Sequence, residues 1–262
     1  MTDRNYTCVA SAMQSSKKSP IKVGDTFITN QGCTVTVFEY CGSLRVGYQF
    51  NDEHQHKAYT TTQNLKKGQV KNPYLPVVCG VGYFGVGKYE SVINSKHTDE
   101  YRAWRDMLRR CYDDYSLSRR PTYKDCYVCD EWHNFQNFAE WYTNQEYYGK
   151  GYHLDKDLLI DGNKVYSPST CVLAPQELNA LLTTWLAEKT IPTGVSFDKK
   201  TGKYLAYVTL NKKRKYLGYF SSINEARDIY LAEKLITIKA AALNWKDRID
   251  DKLFNALMAK TA

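Results

Sequence analysis

The residues best suited to chemistry gather in one block. It begins His153-Leu154-Asp155-Lys156-Asp157, continues through Gly162-Asn163-Lys164 and Tyr166 to Cys171, and ends with Pro175 to Asn179. If the first part is a strand, His153, Asp155 and Asp157 share one face, because alternate side chains of a strand point the same way. A carboxylate from a strand and the amide of Asn179 from a following helix could together hold one hard divalent ion, Mg2+ in preference, with water or phosphate completing its shell. Such an ion would stabilise the leaving oxygen of a phosphodiester. Lys156 is a poor base, since lysine ordinarily titrates near about 10.4, but a reasonable phosphate clamp. Activation of water then falls to His153, whose type titrates near about 6.5, or to Asp157, and spacing does not choose between them.

Other groupings carry less. Cys126 and Cys129 form a CxxC, but no second CxxC or close Cys/His pair completes a tetrahedral zinc set unless Cys111 or Cys171 joins it. Gly80 to Gly85 matches GxGxxG, yet no amphipathic helix opens at Gly85 and no acidic ribose partner follows. Gly82 to Lys88 has the glycine and lysine spacing of a phosphate loop, but Tyr89 stands where Ser or Thr must ligand magnesium, so no nucleotide cofactor is expected. His54 and His56 lie in a polar stretch that reads as an exposed loop.

Around the central block the expected architecture is α+β. Residues 1–18 form a polar leader. Short alternating runs in 19–72, separated by Asn30-Gln31-Gly32 and Asn51-Asp52, predict a small antiparallel β module. Residues 73–97, with their prolines and glycines, read as a linker or tight loop. From Thr98, a plausible N-cap, a helical period places Tyr101, Trp104, Leu108, Cys111 and Tyr115 on one stripe. Trp132, Phe135, Phe138 and Trp141 suggest a second helix whose aromatics are core. Apolar runs over His153 to Ile160 and Thr170 to Leu173 predict two strands about a turn, then a helix from Pro175 through Leu186.

At these residues the sequence resembles the H-N-H homing endonucleases of bacteriophages, over roughly Tyr101 to Leu186. The resemblance implies a ββα-metal nuclease core within 98–187, which hydrolyses DNA with a divalent metal. Carried over by position, Asp155 matches the metal-binding acid and Asn179 the metal ligand of the helix. Thr170 falls where the family's middle Asn braces the hairpin, and Lys156 occupies the position of the general-base histidine. Two letters of the family signature are therefore replaced.

The second basic feature lies between Gly194 and Phe220, where Lys199, Lys200, Lys203, Lys212, Lys213, Arg214 and Lys215 oppose one acid, Asp198. Three strands are expected there, followed by a helix capped by Ser222 that runs to about Leu243. The residues Gly194 to Asp198, Gly202-Lys203-Tyr204, Leu217 to Phe220, Glu225-Ala226 and Ala242 to Trp245 resemble the ethylene-response-factor type of DNA-binding domain, here 191–245. That resemblance implies a three-stranded sheet read into the major groove, with Arg214 able to meet guanine and the lysines meeting phosphate. Residues 246–262 read as an amphipathic closing helix with Ile249, Leu253, Phe254 and Leu257 packing inward.

The bulk numbers agree with such partners without specifying them. In 262 residues, 36 basic and 28 acidic side chains leave a formal charge of +8, which favours polyanions. No stretch nears the roughly 20 apolar residues that cross a bilayer, and no export signal opens the chain, so a cytoplasmic protein with reduced thiols and no membrane partner is expected. The leading expectation is a site-selective endonuclease acting on double-stranded DNA. The alternative is a non-catalytic DNA-binding regulator on a degenerate H-N-H scaffold, and a third reading, RNA binding, follows from the mixed aromatics and lysines.

Overall fold

A computed structural model describes residues 20–183, 191–210 and 213–261. The fold is mixed α+β, as expected. It divides into two compact units, one ending at Leu75 and the other beginning at Pro76. The expected polar leader, the last residues of the helix predicted to Leu186, and Lys212 lie outside the described residues. Among the described residues no helix is long and apolar enough to cross a membrane.

The first unit is a four-stranded antiparallel sheet in sequential order, β1 Thr26–Ile28, β2 Thr34–Tyr40, β3 Val46–Phe50 and β4 Lys57–Thr60, closed by the short helix α1 Thr62–Lys66. Alternation decides its faces. Val35 and Val37 of β2, with Val46, Tyr48 and Phe50 of β3, enter a core completed by Ile21, Leu65 and Val70.

The second unit opens with β5 Val92–Ile93 and β6 Lys96–His97 and continues through helices α2 Asp99–Tyr112 and α3 Asp114–Arg119. Thr98 caps α2 by accepting from the Tyr101 N–H, as its position predicted. The stripe expected to run on to Tyr115 stops earlier. Asp113 ends α2 in extended backbone and caps α3 through Ser116, so Tyr115 sits on a new helix and is 64% exposed. Strand β7 Tyr127–Val128 and helix α4 Phe135–Thr143 follow. Trp104, Met107 and Leu108 of α2 meet Trp132, Phe135 and Phe138 in one buried aromatic cluster, so these rings are core.

Residues 73–97, read from the sequence as linker, are largely built into that core. Val78, Cys79, Val81, Phe84 and Tyr89 pack on the aromatic cluster, and Tyr83 bridges to Asn134. The glycines of the GxGxxG run serve this packing. A Cβ on Gly82 would lie 2.4 Å from Leu108, and one on Gly85, whose φ is +68°, would lie 2.1 Å from Asn134.

Next come β8 His153–Asp155, β9 Val165–Tyr166, β10 Val172–Ala174 and α5 Gln176–Thr183. β8 and β10 pair antiparallel, Asp155 opposite Val172 and His153 opposite Ala174, and α5 follows β10 directly. The predicted strand to Ile160 is cut short at Asp155, because that side chain accepts from the backbone N–H groups of Asp157 and Leu158 and turns the chain.

The C-terminal sheet has the order β11 Val195–Asp198, β12 Lys203–Leu210 and β13 Lys213–Phe220, all antiparallel. It packs on α6 Ile223–Trp245, which carries the capping box Ser222 and Glu225 and runs slightly past the expected end. At about 35 Å, this helix spans two cores. Ala226 near its start meets Val195 and Ala206 of the sheet. Ile238 and Ala242 near its end join Leu178 and Leu182 of α5, together with Ile249, Leu253 and Leu257 from the tail and its helix α7 Asp251–Ala259. The basic sheet and the strand–strand–helix segment thus each pack on one end of the same helix.

Candidate functional site

A cleft of about 700 Å3 forms over β8, the loop after it and α5. It is lined by His153 and Asp155 from the strand, Asp157 from the turn and Asn179 from the helix, so the strand–strand–helix topology brings the four predicted groups together. The physical reason is local. The two antiparallel strands set His153 and Asp155 at alternate positions of one strand, and Pro175 precedes a helix whose first turn carries Asn179 into the lining of the same cleft.

Asp155 is half-buried, with both turn N–H bonds falling on Oδ1, at 2.7 and 2.9 Å. This leaves Oδ2 as the oxygen to offer a cation. Burial pushes its carboxyl above the usual carboxylate value, the two backbone bonds oppose that, and the neighbouring Asp157 charge adds to it. A carboxylate held this way gains from a bound positive ion. Oxygen donors, one carboxylate and one amide, suit a hard divalent cation.

Lys156 departs most from its expected part as a phosphate clamp. Only 5% exposed, it donates from Nζ to Asp157 Oδ1 at 2.7 Å and to the Asn163 carbonyl at 2.6 Å, with the Tyr123 and Tyr166 rings each 5.8 Å away. Burial pulls its ammonium down, but the bond to Asp157 and that residue's charge outweigh it, and the lysine stays charged. Its side chain is spent on bracing the loop, and it cannot serve as a base at neutral pH.

Asn163, read in the sequence as a turn residue, is the amide that ties this loop. Its Nδ2 donates to the Lys156 and Val165 carbonyls at 2.8 and 2.7 Å, and its Oδ1 accepts from the Val165 N–H. Thr170 adds a bond from Oγ1 to the same Val165 carbonyl at 2.8 Å. The cleft also gathers cations that sequence reasoning did not place there, namely Arg110, Arg120, Lys164 and Lys260. Arg110 was visible in the run of arginines on α2. Lys260 comes from the far end of the chain and pairs with Asp161, so only packing of α7 could place it.

Among the described residues, no group of three or more His, Cys, Asp or Glu side chains is placed to hold a metal. This bears on the CxxC, whose Cys126 is buried in the aromatic core. Burial pushes the Cys111 and Cys171 thiols up to about 12.

The three-stranded sheet divides its basic residues between two faces. Arg214 lies opposite Thr209, Tyr216 opposite Tyr207 and Tyr219 opposite Leu205, on the face away from α6. Arg214 stacks its guanidinium 4.6 Å from the centre of the Tyr207 ring, and alternation puts Lys203 on the same face. Lys199 and Lys200 are exposed in the β11–β12 turn, which Asp198 ties by accepting from the Lys200 N–H. Lys213, exposed at the start of β13, lies opposite Leu210 and so falls off the outer face. Lys215 faces the other way and pairs with Glu233 of α6 at 2.7 Å, so it supports the helix side of the sheet.

No protein-family model matches the chain, and neither the curated proteins nor the solved structures compared with it contain a match.

Proposed function

We propose that this protein is a divalent-metal-dependent DNA endonuclease that hydrolyses phosphodiester bonds of duplex DNA. The strand–strand–helix segment carries the reaction and the outer face of the C-terminal sheet grips the duplex. The observation that carries this reading is the convergence of Asp155 and Asn179 in one cleft with His153, Asp157 and four cationic side chains. A bound magnesium ion would neutralise charge on the phosphate and its leaving oxygen. Asp155, through Oδ2, and Asn179, through its amide oxygen, are the residues that would hold it.

His153 is the better of the two candidates for taking the proton of the attacking water. It is exposed at the cleft on the strand face of Asp155, whereas Asp157 already accepts from Lys156. As the water oxygen bonds to phosphorus, the ester bond to the leaving oxygen breaks, that oxygen takes a proton from solvent, and the imidazolium afterwards returns its proton to solvent. Arg110, Arg120 and Lys164 supply the positive field that draws the strand into the cleft. On the sheet, Lys199, Lys200 and Lys203 would bind phosphate, and Arg214 stands where a guanine edge could be read.

Incubation of the purified protein with genomic and plasmid DNA, with and without magnesium, tests this reading. Metal-dependent nicking that is lost in both Asp155→Asn and Asn179→Ala is expected, and unchanged cutting in both variants would sink the site. A second reading, a DNA-binding regulator without nuclease activity, is favoured by the buried, fully engaged Lys156 at the position that a histidine would otherwise fill. Salt-sensitive duplex binding with no nicking under any divalent metal would select it.

A further inference from the structure

A second cavity, of about 440 Å3, lies between α2, the loop before β8, and β8 itself. It shares Arg110, His153 and Leu154 with the candidate cleft, so the two cavities meet at these residues. Its volume falls in the range of about 300–1,000 Å3 typical of small-molecule sites.

The lining suits a nucleobase better than a phosphate. Asp99 pairs with Arg102 and Asp106 with Arg105, and in the lining two acids stand against two arginines, Arg102 and Arg110, so no positive charge is in excess. Tyr147 and Tyr152 form an aromatic wall, their rings 5.6 Å apart and within 17° of parallel. Tyr152 is fixed there, because its hydroxyl donates to the Arg248 carbonyl at 2.8 Å. At the lip, Gly149 and Gly151 hold left-handed backbone at φ +76° and +71°, and nothing lies within 4 Å of where a Cβ would stand, so the mouth is open. Bases stack on tyrosine whatever their sequence, while carboxylates accept from exocyclic amino groups such as that of cytosine.

We propose that this cavity receives one unstacked nucleobase bearing an exocyclic amino group, cytosine in the first instance, next to the phosphate held in the neighbouring cleft. The neighbouring phosphate rests on the nuclease reading above, but the base pocket does not require cleavage. Extrusion of a base is costly in a paired duplex and least costly at a mismatch. The protein would therefore favour DNA that is already weakened at one pair.

The test uses the full chain with duplexes carrying 5-iododeoxycytidine, irradiated in EDTA so that no cutting is needed, and the crosslinked residue is mapped by mass spectrometry. Crosslinks at Tyr147 or Tyr152 are expected. A mismatch at the crosslinked cytosine should tighten binding about tenfold, the scale of one base contact. Asp106→Asn, a change at an exposed helix position, should remove that gain. DNA retained on the protein with crosslinks confined to Tyr207, Tyr216 and Tyr219, or with none, overturns the pocket alone. Failure to retain DNA overturns the DNA reading and the pocket together. Crosslinking at Tyr147 without metal-dependent nicking removes the nuclease reading and leaves the pocket standing.

Discussion

Lys156 and Asn163 hold each other across the loop that follows the candidate carboxylates. The lysine Nζ donates to the Asn163 carbonyl at 2.6 Å, and the asparagine Nδ2 donates back to the Lys156 carbonyl at 2.8 Å. The reciprocal pair fixes the turn on which Asp157 and the end of β8 depend.

Replacing Lys156 with Met should cost about 2 kcal/mol. The change removes a buried cation from a carboxylate and a carbonyl, and the usual cost of 3–5 kcal/mol for breaking a buried pair is reduced because Asp157 is 39% exposed. Urea unfolding would measure it, and a loss below about 0.5 kcal/mol would remove Lys156 from this bracing role. Lys156→His should give no gain in cleavage, since the position is buried in the loop.

The Asp155 carboxyl is held above its usual value, mainly by burial. The sign of its linkage is therefore that of a buried acid. Its contribution to stability is full below the unfolded value, near about 3.9, and is lost as pH rises through the higher folded value. Asp155→Asn keeps an oxygen for the two turn N–H groups and removes the desolvated charge. In EDTA the variant should melt higher than the parent at pH 7, the advantage fading below about pH 4. Magnesium should raise the melting temperature of the parent and leave the variant unmoved. Calorimetry that finds the variant less stable at pH 7 would refute the reading of Asp155 as a carboxylate desolvated by burial.

Gly194 enters β11 at φ +81°, where a Cβ would lie 2.1 Å from the Tyr230 ring. Gly194→Ala combines backbone strain with a clash and should destabilise by roughly 3 kcal/mol, loosening the sheet from α6. Gly202→Ala, at φ +68° but with open space around it, should cost only the strain, about 1 kcal/mol. Equal melting temperatures for the two variants would contradict the packing described for Tyr230.

On the sheet, Arg214→Ala and Lys203→Ala should each weaken duplex binding about tenfold, Arg214→Ala with loss of sequence preference. Lys215→Gln should change it far less, because that side chain is turned to Glu233. Titrations across salt concentration would separate them. A variant that neutralises one phosphate fewer should show a slope of log K against log salt that is flatter by about 0.9. A larger effect from Lys215 than from Arg214 would mean that the helix-facing side of the sheet, and not its outer face, meets DNA.

Several features were legible in the chain itself. Thr98 and Ser222 announced their helices because a cap needs only a side-chain oxygen and the N–H groups beyond it. Alternation in Tyr204 to Thr209 gave the middle strand two faces, since a strand's period is two whatever lies around it. Asp155 and Asn179 could be paired because a short strand, a turn and a helix are near neighbours in sequence and bring their side chains to one edge.

Long-range packing decided the rest. Nothing in the spacing of Lys156 shows whether its ammonium meets water or a carbonyl, because exposure is a property of the Tyr123, Tyr166 and Asn163 surfaces around it. Residues 73–97 look like linker by composition, yet Val78, Val81, Phe84 and Tyr89 pack on the aromatic core, and burial outweighs the local preference of proline and glycine for loops. Lys260 reaches the cleft only because Ile249, Leu253 and Leu257 seat the tail against α5. The sequence by itself determined the mixed α+β class, the caps Thr98 and Ser222, and the closeness in chain of Asp155 and Asn179, since those depend on local geometry. Tertiary structure alone decided which charges are spent inside the protein and which face the cleft, because desolvation and ion pairing are set by neighbours distant along the chain.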